Sequence, residues 1–236
     1  MLSMKKILTI GAGLLLSTAS IPTFAQTAFE GFYGQISTGY EQNNADSLKM
    51  TGTDYGSSPN TSAETSASSS GAPLVLGLGY TFKLQEKFTL GLGVDYSALT
   101  QTTGAAGFRY PGISNATYNY DFEITNRFNI FVAPGYAFDD KKLAYIKLGY
   151  SNQNIQYSQT NCCSTPSEKA NVSGYVLGLG YKQIIQDGLY GFIEANYYGY
   201  ANTTMKATYS DAPGGTTQVS PDLSAYNVLV GIGYRF

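Results

Sequence analysis

The sequence contains no histidine and no tryptophan, and only 13% of its 236 residues are charged. Soluble domains carry about 25% charged residues, so the chain departs from that class. Without histidine, most acid–base and metal chemistry near neutral pH is excluded, and no cofactor is expected. The formal net charge is −2 with no basic patch, which argues against a nucleic-acid partner. Uninterrupted apolar runs of roughly 20 residues, which helical membrane spans require, are also missing. In their place stand 27 Gly and 21 Tyr among many Ser, Thr and Asn, a mixture suited to apolar residues that alternate with small polar ones.

The first residues read as an export signal. Lys5 and Lys6 are followed by an apolar stretch over 7–16 and a small-residue segment over 17–25. Cleavage is expected after Ala25, so 1–25 is a secretory signal peptide and 26–236 a single barrel domain.

Beyond it the dominant signal is period two, the mark of a strand with two unlike faces. Eight such runs occur. Phe32, Ile36 and Tyr40 open the first, opposite Gln35, Ser37 and Glu41. Leu74 to Phe82 and Phe88 to Tyr96 follow with apolar even positions and glycine-rich odd ones. The fourth run carries Tyr118, Tyr120, Phe122, Ile124, Phe128, Ile130 and Val132 on one parity, with Asp121, Glu123, Arg127 and Asn129 on the other. Runs around Ile146, Leu177, Ile193 and Val230 complete the set. In the seventh both faces are aromatic, and Glu194 and Asn196 decide it, because a carboxylate is costly on a lipid face.

Tight polar turns join runs 2–3, 4–5 and 6–7, whereas the links over 42–72, 98–117, 156–171 and 201–225 are expected as long loops. The apolar faces begin and end in aromatics: Tyr80, Phe88 and Tyr136 near the short turns, Tyr40, Tyr150 and Tyr226 near the long links. A soluble β-sandwich explains the alternation but not two aromatic girdles around a polar enclosed face. The reading is all-β: an eight-stranded antiparallel up-and-down transmembrane β-barrel with short periplasmic turns and long extracellular loops. Closure satisfies every backbone N–H and C=O, which lipid cannot do.

The ending Val228-x-Val230-x-Ile232-x-Tyr234-x-Phe236 resembles the terminal strand of Gram-negative outer-membrane proteins. Pieces such as 133–138, 145–150 and 178–181 also match, and the mature chain is similar to the OmpA-like/OmpX-like outer membrane protein β-barrel family. The resemblance implies an address in the outer membrane and contact with lipopolysaccharide. It also implies that Val228, Val230, Ile232, Tyr234 and Phe236 form the signal read by the barrel-assembly machinery. Because the chain ends at Phe236, the peptidoglycan-binding domain that follows the OmpA barrel is not expected here.

An eight-stranded bore is about wide enough for side chains to fill it, so inward charges should pair. On the expected inward parity lie the anions Glu41, Asp95, Asp121, Glu123 and Glu194. The cations are Lys83, Arg127, Lys147, Lys182 and Arg235, so the network should be neutral. Tilted strands climb roughly 2.5 Å per residue along the axis, which sets Lys147 and Glu194 at like depth and predicts that they touch. Inward glycines are expected to make room for these long side chains.

Cys162 and Cys163 are adjacent in the third long link. A vicinal disulfide there is strained, since neighbouring Cα atoms lie only about 3.8 Å apart; free thiols or an intermolecular bond are the alternatives. The Gly-Leu-Gly pieces do not continue as a dinucleotide loop. A Ser or Tyr nucleophile would lack its usual base, so the protein is not expected to be an enzyme. The expectation is a structural, surface-exposed barrel whose loops meet a surface ligand; the alternative is a narrow porin-like channel for ions or small solutes.

Overall fold

The computed structural model describes residues 28–48, 50–53, 60–61, 65–109, 117–159, 168–208 and 216–236. The expected signal peptide (1–25) and the Cys162–Cys163 pair lie outside the described residues. The described residues are built from strands and turns alone, numbered here in chain order.

Eight strands form the ring. They are β1 (Gly31–Leu48), β5 (Leu74–Lys83), β6 (Phe88–Ser97), β8 (Thr117–Asp139), β9 (Lys142–Gln159), β10 (Glu168–Gln186), β11 (Leu189–Tyr200) and β14 (Asp222–Arg235). Each pairs antiparallel with its neighbour in the order β14-β11-β10-β9-β8-β6-β5-β1, and β14 pairs with β1 to close the barrel. The closing register sets Thr38 against Val230 and Glu41 against Asn227.

Local chemistry sets two of the three tight turns. Between β10 and β11, Asp187 and Gly188 both have positive φ (44° and 88°), the geometry that lets a two-residue turn follow the twist of its strands. Between β8 and β9, the Lys141 amide donates to Asp139 Oδ1 at 2.8 Å, and this bond holds the Asp139 carboxyl below the usual aspartate range.

The outer wall is apolar. Leu78, Ile130, Leu179, Val230 and Ile232 are all about half exposed or more, facing where a bilayer's hydrocarbon would lie. Aromatic pairs rim it at both ends. Phe32 meets Tyr80 edge-on with centroids 4.8 Å apart, and Phe88 meets Tyr136 at 5.4 Å, near the short turns. Tyr175 and Tyr197 stand 6.2 Å apart at the other end.

Past that second rim the wall continues as strand, where the sequence reading expects long loops. β4 (Thr65–Gly71) extends it by pairing with β1, and β7 (Gln101–Arg109) by pairing with β8. A separate four-stranded sheet joins β12 (Met205–Thr208), β13 (Thr216–Val219), β2 (Met50–Thr53) and β3 (Asn60–Thr61). β4 escapes the period-two test because both its faces are small or polar, with only Ala67 buried, and β2, β3, β12 and β13 because they are two to four residues long.

A second difference concerns Asp121 and Glu123. Pairing of β8 with β9 runs from Thr125↔Asn154 to Phe128↔Asn152, so β8 carries one extra residue. Asn126 takes it up at φ 54°, a conformation that asparagine tolerates better than most residues. Because side chains alternate with period two, one inserted residue exchanges the faces beyond it. Phe122 and Ile124 therefore point inward and are buried, whereas Glu123 is exposed and Asp121 half-buried on the outer side. Asp121 and Glu123 are thus not part of the interior network.

Candidate functional site

The bore is filled, and its filling is layered. In the middle, Lys147 ion-pairs with Asp95 and with Glu194, the latter at 2.9 Å, and all three are buried. Period two points Lys147 (β9), Asp95 (β6) and Glu194 (β11) inward from three sides of the ring. Tyr145 donates its hydroxyl to Glu194 Oε2 at 2.6 Å, and Asn196 donates to Glu194 Oε1 at 2.9 Å. The Lys147 ammonium also lies 4.3 Å from the Phe131 ring centroid.

One step toward the outer strands is a second charged layer. Arg127 pairs with Glu41 at 2.7 Å. Its remaining nitrogens donate to Gln153 at 2.9 Å and Asn43 at 2.7 Å. Its guanidinium stacks 4.7 Å from the Tyr198 ring. The layers are joined, since Asn196 donates to Asn227 at 2.9 Å and Asn227 to Glu41 at 3.1 Å. Charged and amide groups from β1, β6, β8, β9, β11 and β14 thus form one connected network across the bore.

Beyond Arg127 the described interior is mainly apolar. Leu48, Phe122, Ile155, Val172 and Leu223 pack with Met205 and Val219, which β12 and β13 bring down onto the barrel end. The inward turn of Phe122 at the Asn126 bulge supplies part of this core. Among the described residues, an ion or polar solute crossing here would lose its hydration with few polar groups to replace it.

Toward the short turns the filling is aromatic. Lys182 is 8% exposed and lies 4.1, 4.8 and 5.4 Å from the ring centroids of Tyr33, Tyr190 and Tyr145. Arg235 is half-buried and donates to the Glu30 carbonyl at 3.1 Å, and Lys83 is half-buried at the rim. The inward glycines serve these rings more than the charged chains. A Cβ on Gly93 would sit 2.5 Å from the Phe131 ring and 2.8 Å from the Tyr33 hydroxyl, and one on Gly180 would strike the Tyr145 ring.

Of the expected site residues, Glu41, Asp95, Arg127, Lys147 and Glu194 come together, Lys182 and Arg235 form a separate group, and Asp121 and Glu123 are elsewhere. Val228, Val230, Ile232, Tyr234 and Phe236 face outward. Sequence reasoning missed the roles of Asn43, Gln153, Asn196, Asn227 and Tyr145. Their signal was inward parity at the depth of the charges. Among the described residues, no cluster of three or more metal-ligating side chains occurs. A groove of about 810 Å³ lies on the apolar outer wall, lined by Leu78, Val94 and Ile130 and, between the strands, by Tyr33 and Phe131.

Comparison with known proteins follows the architecture. The family described as "Outer membrane protein beta-barrel domain" matches residues 12–236. Among curated proteins none matches in sequence. Among solved structures, the outer membrane protein OprG from Pseudomonas aeruginosa aligns with a TM-score of 0.52 at 13% identity, covering 88% of this chain and 97% of that one. The outer membrane protease OmpT from Escherichia coli aligns at 0.50 and 7% identity, with the same coverage. The attachment invasion locus protein Ail of Yersinia pestis, solved with the heparin analogue sucrose octasulfate, aligns at 0.45 and 14% identity, covering 88% and 99%. At such identities the likeness to OprG and OmpT is one of fold.

Proposed function

Because this chain belongs to the family of outer membrane protein β-barrel domains, we propose that it is a closed, non-enzymatic barrel whose extracellular wall and loops make its working contacts. Its place is the outer membrane of a Gram-negative cell. The observation that carries the proposal is the filling of the bore: a connected ion-pair network beneath an apolar core, the latter capped by Met205 and Val219. A narrow solute channel, the other reading of the chain, would have to breach both layers. Catalysis has no support in the residue set, since the chain lacks histidine and its buried carboxylates are engaged with Lys147 and Arg127.

Lipopolysaccharide is the natural neighbour of the extracellular rim. Just beyond Tyr150 and Tyr175, the outer face of β9 and β10 carries a ladder of exposed amides. Asn152 donates to Asn171 at 2.7 Å, and Asn171 donates to Asn154 at 2.9 Å. Such groups suit sugar hydroxyls better than hydrocarbon. The outward-facing Val228, Val230, Ile232, Tyr234 and Phe236 remain, in this proposal, the segment read by the barrel-assembly machinery.

The orientation has a direct test. Lys169 and Lys206 are exposed on the long side, and Lys87, Lys141 and Lys142 are exposed at the short turns. A membrane-impermeant amine reagent applied to intact cells should modify the first two, and the other three only after permeabilisation. Labelling of Lys141 and Lys142 on intact cells would reverse the assignment of the working surface.

A further inference from the structure

We propose that the periplasmic mouth of the barrel binds one small inorganic anion, of chloride size, between Lys182 and Arg235. The Asn126 bulge sets the charge balance inside the barrel. By turning Asp121 and Glu123 outward, it leaves Glu41, Asp95 and Glu194 as the inward carboxylates. Glu41 and Arg127 neutralise one another. Asp95 and Glu194 share Lys147, so that layer keeps one negative charge. Lys182 faces this charge across a small cavity that Lys182 and Glu194 both line. Among the described side chains, Arg235 then has no counter-charge inside the barrel. Lys83, half-buried at the rim, has contacts of its own, and the site does not need it.

A second cavity lies on the periplasmic side of Lys182. Lys182 and Arg235 both line it, with Thr81, Tyr190 and Phe29, and no carboxylate is among its lining residues. Among the described residues no carboxylate comes within ion-pair distance of Lys182 or Arg235, and Arg235 Nε is buried without a hydrogen-bond partner. Two cations that line one partly enclosed, carboxylate-free space repel each other where water screens them poorly. A water molecule there can accept hydrogen bonds but brings no charge; a halide does both, accepting from the ammonium, the Nε–H and the Thr81 hydroxyl. Size selects the class. The cavity is about 10 Å³, room for one water-sized particle and too little for a phosphate or a lipid headgroup.

The probe is bromide, which scatters anomalously. Crystals of the refolded barrel grown in sodium bromide should show an anomalous peak within hydrogen-bond reach of Lys182 Nζ and Arg235 Nε. In solution, the urea midpoint should be higher in sodium bromide or chloride than in sodium gluconate at equal ionic strength, and Lys182→Met should abolish the difference. If Lys182→Met does not refold, Arg235→Gln reads the same contrast. An ordered Lys182 without a bromide peak, or equal midpoints in halide and gluconate for the unsubstituted protein, overturns the proposal. So does a halide effect that both substitutions leave intact.

Discussion

Lys147→Met is expected to lower the unfolding free energy of the refolded barrel by about 3–5 kcal/mol, the usual cost of removing one partner from a buried ion pair. The reason lies in what remains. Asp95 and Glu194 are 3% exposed and would face each other without the ammonium that both contact. Tyr145 and Asn196 still donate to Glu194, but neither carries charge. Methionine fills much the same space over the Phe131 ring, so lost packing contributes little. A triple variant, Lys147→Met with Asp95→Asn and Glu194→Gln, should recover most of the loss, because the buried charges go together. Urea titration of the refolded proteins checks both values. An unchanged midpoint for Lys147→Met alone would mean that water reaches these carboxylates, and hence that the bore is open at this depth.

Deletion of Asn126 should act at least as strongly, on a different part of the molecule. Without the extra residue, β8 either keeps its pairing with β9 or keeps its faces, but not both. If pairing persists, Asp121 and Glu123 are driven inward against the core of Leu48, Ile155 and Val172, Phe122 is turned out of it, and Ile124 loses its burial. An uncompensated carboxylate in such surroundings costs several kcal/mol. The chain is therefore expected to release the outer part of β8 instead. Hydrogen exchange should show lost amide protection over 117–125 and in β7, with protection kept around Lys147. Asn126→Gly should be close to neutral, since glycine takes a positive φ freely. Full protection over 117–125 in the deletion variant would contradict the role given to the bulge.

The same residue marks the boundary of what the sequence disclosed. Below Asn126, alternation pointed Arg127 and Lys147 inward, the cost of a carboxylate on a lipid face settled Glu194, and strand climb put Lys147 and Glu194 at one depth. Above it, Tyr118, Tyr120, Phe122 and Ile124 alternate just as well, so nothing in the pattern signals that the faces have exchanged. A bulge is a single residue in a suitable backbone conformation, and asparagine in a polar strand is too common to announce one. The outer strands were hidden for a related reason. Ser, Thr, Asn and Gly on both faces leave no contrast between inside and outside, so β4 and β7 read as loop. The linking amides Asn43, Gln153, Asn196 and Asn227 look like ordinary polar strand residues until register brings them beside Glu41, Glu194 and Arg127.

That the bore is sealed by its own side chains is tested most directly by single-channel recording. Refolded protein from residue 26 onward, its folding confirmed by a heat-dependent shift on gels, would be added to a planar bilayer under voltage. The filled interior predicts silence, with no current steps above those of the lipid alone. Reproducible openings that depend on added protein, and that change in Lys147→Met or Arg127→Met, would contradict it.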